Sequence, residues 1–169
     1  VLDANIYTMN NRAEAFWMKK GILGDTVPLE LNAKELVHRN NKNSELTVYG
    51  YTPMMVSVQC VQKTMDHCNH ACVQYVLKDR YQKEFRGVCS CEFCYNTIYN
   101  TLPTSLLKEK EKAEKLGVKA YRLSFTTETQ QETEKIVRAF VDVYLRGQKP
   151  DGQMQTEETT KGHFQRGVE

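Results

Sequence analysis

The sequence predicts an α/β fold: parallel β/α units forming half of a TIM-like (β/α)8 barrel, with a cysteine-rich insertion after the third strand. Three observations carry that prediction. Short β-branched or aromatic runs alternate with stretches whose apolar residues recur at helical spacing, giving four strand-then-helix steps. A helix between consecutive strands returns the chain to its starting edge, so the strands run parallel. All six cysteines fall between Cys60 and Cys94, after the third strand-like run.

Leu2 to Met9 (LDANIYTM) reads as a buried strand, with β-propensity from Ile6 and Tyr7. Asn10-Asn11 is a turn. Arg12 to Lys20 is a helix, because Ala13, Phe16 and Trp17 recur at spacings of three and four, and Gly21 stops it. Asp25 to Leu31 is the second strand, although Pro28 lacks a ladder donor. Asn32 is the N-cap of a helix over Ala33 to Arg39. Ser44 to Val58 carries the third strand, strongest at Leu46 to Tyr51 (LTVYGY). Val73 to Val88 forms a β-ribbon and Tyr95 to Asn100 another short strand. Ser105 to Leu116 is a charged surface helix whose Lys and Glu side chains pair at helical spacing. Ala120 to Thr126 is the fourth strand, and T-x-x-E at Thr129 to Glu132 opens a helix with Ile136, Phe140 and Val143 on one stripe. Residues 1–147 thus form the β/α unit, including the insertion over 60–94. Residues 148–169 form a polar tail expected to be loosely ordered.

In β/α barrels the functional groups lie at the C-terminal ends of the strands. Here those ends are Met9-Asn10, Glu30-Asn32, Ser57-Cys60 and Thr126-Glu128. With 23 basic and 21 acidic residues the net charge is +2, which points to no polyanion-coating surface. The chain shows no bilayer-length apolar run and no signal peptide, so a reducing, cytoplasmic compartment is expected, where thiols stay available as ligands. It begins at Val1 and is read as part of a longer protein.

The spacings between successive cysteines are seven residues from Cys60 to Cys68, three to Cys72, sixteen to Cys89, one to Cys91 and two to Cys94. A C-x-x-C turn directs two thiolates at one centre, so Cys91-Glu92-Phe93-Cys94 reads as half of a metal site. Spacing alone leaves an iron–sulfur cluster and structural zinc equally open. The competing reading is a set of free or paired cysteines, but their density is too high for incidental small hydrophobes. His67 and His70 flank Cys68, either as ligands or as bystanders on the loop.

Three stretches carry a family resemblance: Glu45 to Cys60 (ELTVYGYTPMMVSVQC), Cys91 to Asn100 (CEFCYNTIYN) and Thr160 to Glu169 (TKGHFQRGVE). Together they resemble the collagenase-like peptidase family U-32, over the second half of its core domain, with the first half absent. The resemblance implies a β/α barrel and, as in several members, a [4Fe-4S] cluster held by four cysteines. It also implies hydroxylation chemistry on RNA bases or a small aromatic substrate; peptidase is the family's older label, and no nucleophile is evident. By position Cys60, Cys68, Cys91 and Cys94 match the family's ligands. Cys72 and Cys89 depart from the pattern and are read as passive neighbours or substitutes. The resemblance tips the cofactor from zinc to iron–sulfur.

Two further residues are candidates for catalysis. Glu30, at a strand end, would hold substrate or move a proton, against the reading of a solvated or ion-paired strand-end acid. Arg122, alternating with Tyr121 and Leu123, would grip a carboxylate or phosphate if inward, or snorkel over a helix if outward. Glu128, Asp79, Arg80 and His163 carry weaker signals, and Ser57 with His67 has no local support as a nucleophile and base. The expected partners are an RNA or small-molecule substrate, the absent half of the barrel, and a second copy paired through open sheet edges.

Overall fold

The computed structural model describes residues 1–65, 68–150 and 158–168. A 3-10 turn at Ala4–Ile6 precedes α1 (Asn11–Lys19), β1 (Asp25–Thr26), α2 (Ala33–Val37) and β2 (Ser44–Gly50). Next come β3 (Pro53–Ser57), α3 (Val61–Thr64), β4 (Gln74–Lys78), β5 (Glu84–Ser90) and β6 (Tyr95–Tyr99). The chain closes with β7 (Thr104–Ser105), α4 (Lys110–Lys115), β8 (Ala120–Ser124) and α5 (Gln130–Phe140), which runs on into a π-helical turn at Val141–Leu145.

Two sheets result. In the first, β2 is central, with β1 and β8 parallel to it and β7 antiparallel at its end. A parallel bridge from Leu2 to Asp25 extends this sheet beyond β1. The sheet stays open and does not close into a barrel among the described residues. The second sheet is antiparallel, in the order β3-β6-β5-β4. The fold is therefore α/β in its body, with a separate all-antiparallel sheet let into it.

Several predicted strands are corrected. Leu2 to Met9 is not a buried strand. The Asp3 side chain caps Ala4, Tyr7 turns left-handed at φ 54°, and Ile6 and Tyr7 are exposed. The second strand stops at Thr26, before the donor-less Pro28. The third splits at Gly50: β2 belongs to the parallel sheet and β3 to the cysteine sheet. The insertion thus leaves the body at Gly50, earlier than Cys60, and the functional end of the third strand is Tyr49-Gly50 rather than Ser57-Cys60. A Cβ on Gly50 would lie 2.7 Å from the Ser124 carbonyl oxygen, so the switch needs glycine.

Local signals hold where a cap fixes them. Asn10 accepts from the Arg12 and Ala13 amides, and Asn32 and Thr129 each complete a capping box. The core is formed by the body alone: Val27, Leu36, Leu46, Val48, Tyr49, Leu106, Phe140 and Val143 pack helices onto the parallel sheet. The cysteine sheet adds nothing to it. Between Pro53 and Tyr99 the buried hydrophobic side chains are Cys60, Cys89 and Ile98, while Met54, Met55, Val56 and Val76 are exposed.

The tail is also corrected over residues 158–168, which dock on the body. Thr160 bridges Thr104, Lys161 pairs with Glu109, and Phe164 is buried in the core. Gly167 sits at φ +77°, where an added Cβ would lie 2.7 Å from Asn32 Nδ2. Gly167→Ala is expected to destabilise the protein by about 1 kcal/mol or more and to speed tryptic cleavage after Lys161. Unchanged stability and cleavage would contradict that docking.

Acid should release the same segment. Burial raises the Glu109 carboxyl, but hydrogen bonds from Lys112 and Lys161 outweigh it and hold the group below the usual carboxylate range. A carboxyl lowered in the folded state stabilises above its unfolded pKa, and that contribution is lost as pH falls through the folded value. Hydrogen exchange over 160–167 is therefore expected to accelerate, relative to the core, only below the ordinary glutamate range.

Candidate metal centre and adjoining cleft

The centre begins with strand register. β5 places Cys89 opposite Asn96 of β6, and Asn96 faces Ser57 of β3. Asn96 is buried and its side-chain amide donates to the Gln59 carbonyl at 2.8 Å, which fixes the turn leading to Cys60. Cys60 then starts α3. Its Sγ lies 3.7 Å from Cys89 Sγ, and Cys89 Sγ lies 3.5 Å from Cys91 Sγ. The Cys91 thiol donates to the Ala71 carbonyl at 2.8 Å. Tyr75 lies across Gly87, where any Cβ would meet its ring at 2.3 Å. Its buried hydroxyl oxygen has no hydrogen-bond partner among the described residues.

The thiols differ electrostatically. The Lys63 backbone amide lowers the pKa of Cys60 against the opposing effect of burial. Burial, then hydrogen bonds with Cys91 and Cys60, push Cys89 up to about 12. With no metal present, Cys89 is a protonated thiol at neutral pH.

Of the predicted ligands, the structure brings Cys60 and Cys91 together through Cys89, the residue read from sequence as a passive neighbour. Cys68, Cys72 and Cys94 are exposed, and Cys94 Sγ points back to the Cys91 carbonyl at 3.7 Å. His70 is at φ 57° in the exposed loop, and His67 lies outside the described residues. The donor chemistry suits a soft, thiophilic metal. The positions do not yet converge, since no three His, Cys, Asp or Glu side chains surround a common point among the described residues. Cys89 could have been found from the alternation Gly87, Cys89 on one face of β5, but its contact with Cys60 joins it to the start of α3, far back in the chain.

A cleft of about 260 Å³ lies where the strands of the body end. Val27, Gly50, Ser124 and Thr126 contribute from the parallel sheet, Met54 and Tyr99 from the cysteine sheet, and His163 from the closing segment. Arg122 lines it, and donates from Nη1 to Glu45 Oε1 at 2.9 Å and Thr26 Oγ1 at 3.0 Å. It therefore faces the cleft side rather than snorkelling over a helix, and an acid already holds it.

Glu30 is half-buried, and its Oε2 is shielded without a hydrogen-bond partner among the described residues. Its neighbours Leu29 and Leu31 line the cleft. Thr126 Oγ1, a cleft residue singled out only as a strand end, is likewise unpartnered. Glu128 accepts from the Thr126 and Thr127 amides at 2.7 and 2.9 Å, which holds the turn after β8.

Arg86 of β5 braces the two sheets. Its guanidinium lies 4.7 Å from the Tyr51 ring centroid, and its Nη1 donates to Thr127 Oγ1 at 3.2 Å. The thiols sit at the other end of β6 from Tyr99, about 10 Å along the strand from the cleft. No helix among the described residues is long and apolar enough to cross a membrane.

Comparison with known proteins adds no identification: no family model, no curated protein and no solved structure matches the chain.

Proposed function

We propose that the chain is part of a cytoplasmic iron–sulfur enzyme of the U-32 type, with a hydroxylation-type reaction on an RNA base or small aromatic substrate. Its body is one half of a β/α barrel. The sequential parallel order Leu2, β1, β2, β8 supports that architecture. One observation carries the metal reading. Apart from Ile98, the buried hydrophobic side chains of the cysteine sheet are the thiols Cys60 and Cys89, in contact with each other. A small sheet that buries so little apolar surface needs a staple, which a metal centre supplies.

Cys60 and Cys91 would hold the cluster, joined by Cys68 and Cys94 from the exposed loops. A bound cluster would supply one-electron transfer. The protein's own groups do the rest. The cleft takes the substrate, the free donors of Arg122 meet an acidic or carbonyl group on it, and Glu30, beside the lining rather than in it, accepts a proton or a hydrogen bond at the cleft's edge. Tyr99 and Met54 cover the side nearest the thiols.

One observation favours a second reading. Sulfur separations of 3.5 and 3.7 Å are those of neighbouring thiolates on a single tetrahedral zinc with Zn–S bonds of about 2.3 Å. A peptidase draws less support, since no hydrogen bond joins a serine or cysteine to a histidine among the described residues.

The visible spectrum of oxygen-free protein separates the two metal readings. Broad absorbance near ~400 nm that bleaches with reductant is expected from thiolate-ligated iron. A colourless protein that loses the cysteine sheet to a chelator would overturn iron–sulfur in favour of zinc.

A further inference from the structure

The three sulfurs form a chain of contacts that begins at the surface. Cys91 is partly exposed, Cys89 is fully buried, and Cys60, which touches Cys89, is buried as well. Successive Sγ separations are 3.5 Å and 3.7 Å. Both separations bring the sulfurs into van der Waals contact. The three residues come from separate places, the N-terminus of α3, the end of β5 and the turn after it. A bond from Cys60 to Cys89 would also tie α3 to the sheet, in a region that has no apolar core to do so.

We propose that Cys91, Cys89 and Cys60 form a thiol–disulfide relay that takes up a low-molecular-weight disulfide at Cys91 and stores the oxidation as a buried Cys60–Cys89 bond. First the Cys91 thiolate attacks the external disulfide, forming a mixed disulfide and releasing one small thiol. Cys89 next attacks the Cys91 sulfur, its proton passing to the departing small thiolate, forming Cys89–Cys91 and releasing the second small thiol. Finally Cys60 attacks Cys89, forming Cys60–Cys89 and returning Cys91 as a thiol. Two protein thiols are oxidised and the external disulfide is reduced to two thiols, so atoms and electrons balance. The i,i+2 pair Cys89–Cys91 closes too small a ring to be the resting product, whereas Cys60–Cys89 links distant segments. The relay belongs to the metal-free chain and does not require the metal reading. If Cys60 is a ligand, the stored bond also blocks loading until it is reduced.

The test uses the full chain, reduced, freed of metal and of reductant, and exposed to glutathione disulfide. Free thiols are then alkylated and the peptides analysed by mass spectrometry. The expected result is a Cys60–Cys89 cross-linked peptide, release of two glutathiones per event, and an alkylated Cys91. In Cys91→Ser, formation of the cross-link should slow by roughly tenfold or more, because the buried pair then waits for local opening. In Cys89→Ser, glutathione should remain on Cys91. Retention of glutathione on Cys91 in the unaltered chain, or Cys60 and Cys89 both remaining alkylatable, would overturn the relay. Cross-linking at an unchanged rate in Cys91→Ser would overturn the entry point. Metal analysis of a parallel oxygen-free preparation keeps the two ideas apart. A chain that cross-links but never holds iron sinks only the proposed function. A chain that holds iron but does not cross-link when stripped sinks only the relay.

Discussion

Asp25→Ala is expected to cost about 3–5 kcal/mol of folding stability, read from urea unfolding at neutral pH. Asp25 and Arg39 form an ion pair with side-chain exposures of 1% and 2%. Thr8 Oγ1 donates to Asp25, Ser44 Oγ donates to it at 2.6 Å, and Arg39 reaches the Thr8 carbonyl at 2.8 Å and Asn41 Oδ1 at 2.9 Å. The network joins the segment before α1, the start of β1, the end of α2 and the start of β2. Removing the carboxylate leaves a buried guanidinium without its counter-charge, and the size of the effect comes from that orphaned charge rather than from the pair's net worth. The loss is a large part of the roughly 5–15 kcal/mol that holds a domain together. A loss below about 1 kcal/mol would mean the pair is as well solvated as a surface bridge. The network ties the beginnings of the strands, which leaves their far ends free for the cleft.

Cys60→Ala is expected to abolish metal binding while moving the main unfolding transition by less than about 1 kcal/mol. The asymmetry follows from the core. Val48, Leu106, Phe140 and Val143 hold the body together, and no cysteine is among the core residues. Hydrogen exchange separates the two regions: β3, β4, β5 and β6 should lose protection in the variant, and β2 should keep it. Equal loss in both would show that the cysteine sheet is a cooperative part of the body.

What could be read from the sequence was mostly local. Asn32 and Thr129 announce their helices because each cap satisfies the amide three residues on, and Asn32 also the amide two residues on. The Val73 to Val88 ribbon was legible from alternation and appears as the β4–β5 hairpin. The division of Ser44 to Val58 was not legible, since both halves are good strand sequence. The break depends on Gly50 meeting Ser124 across the sheet, a contact between residues far apart in the chain. The contact of Cys89 with Cys60 was not legible for a similar reason. Spacing identifies ligands that share a turn, such as Cys91 and Cys94, but the closeness of Cys89 to Cys60 is set by the β3-β6-β5 register. The closing segment looked like polar tail because its one anchor, Phe164, stands alone among Gly, Gln and charged residues, and its other ties, to Thr104 and Glu109, come from distant parts of the chain.

The most direct measurement is the content of iron, acid-labile sulfide and zinc in protein purified without oxygen. About four iron and four sulfide per chain are expected, both lost in Cys60→Ala. One zinc per chain without sulfide or colour, or thiols that hold no metal at all, would contradict the iron–sulfur assignment and leave the cysteine sheet as a structural or redox-responsive element.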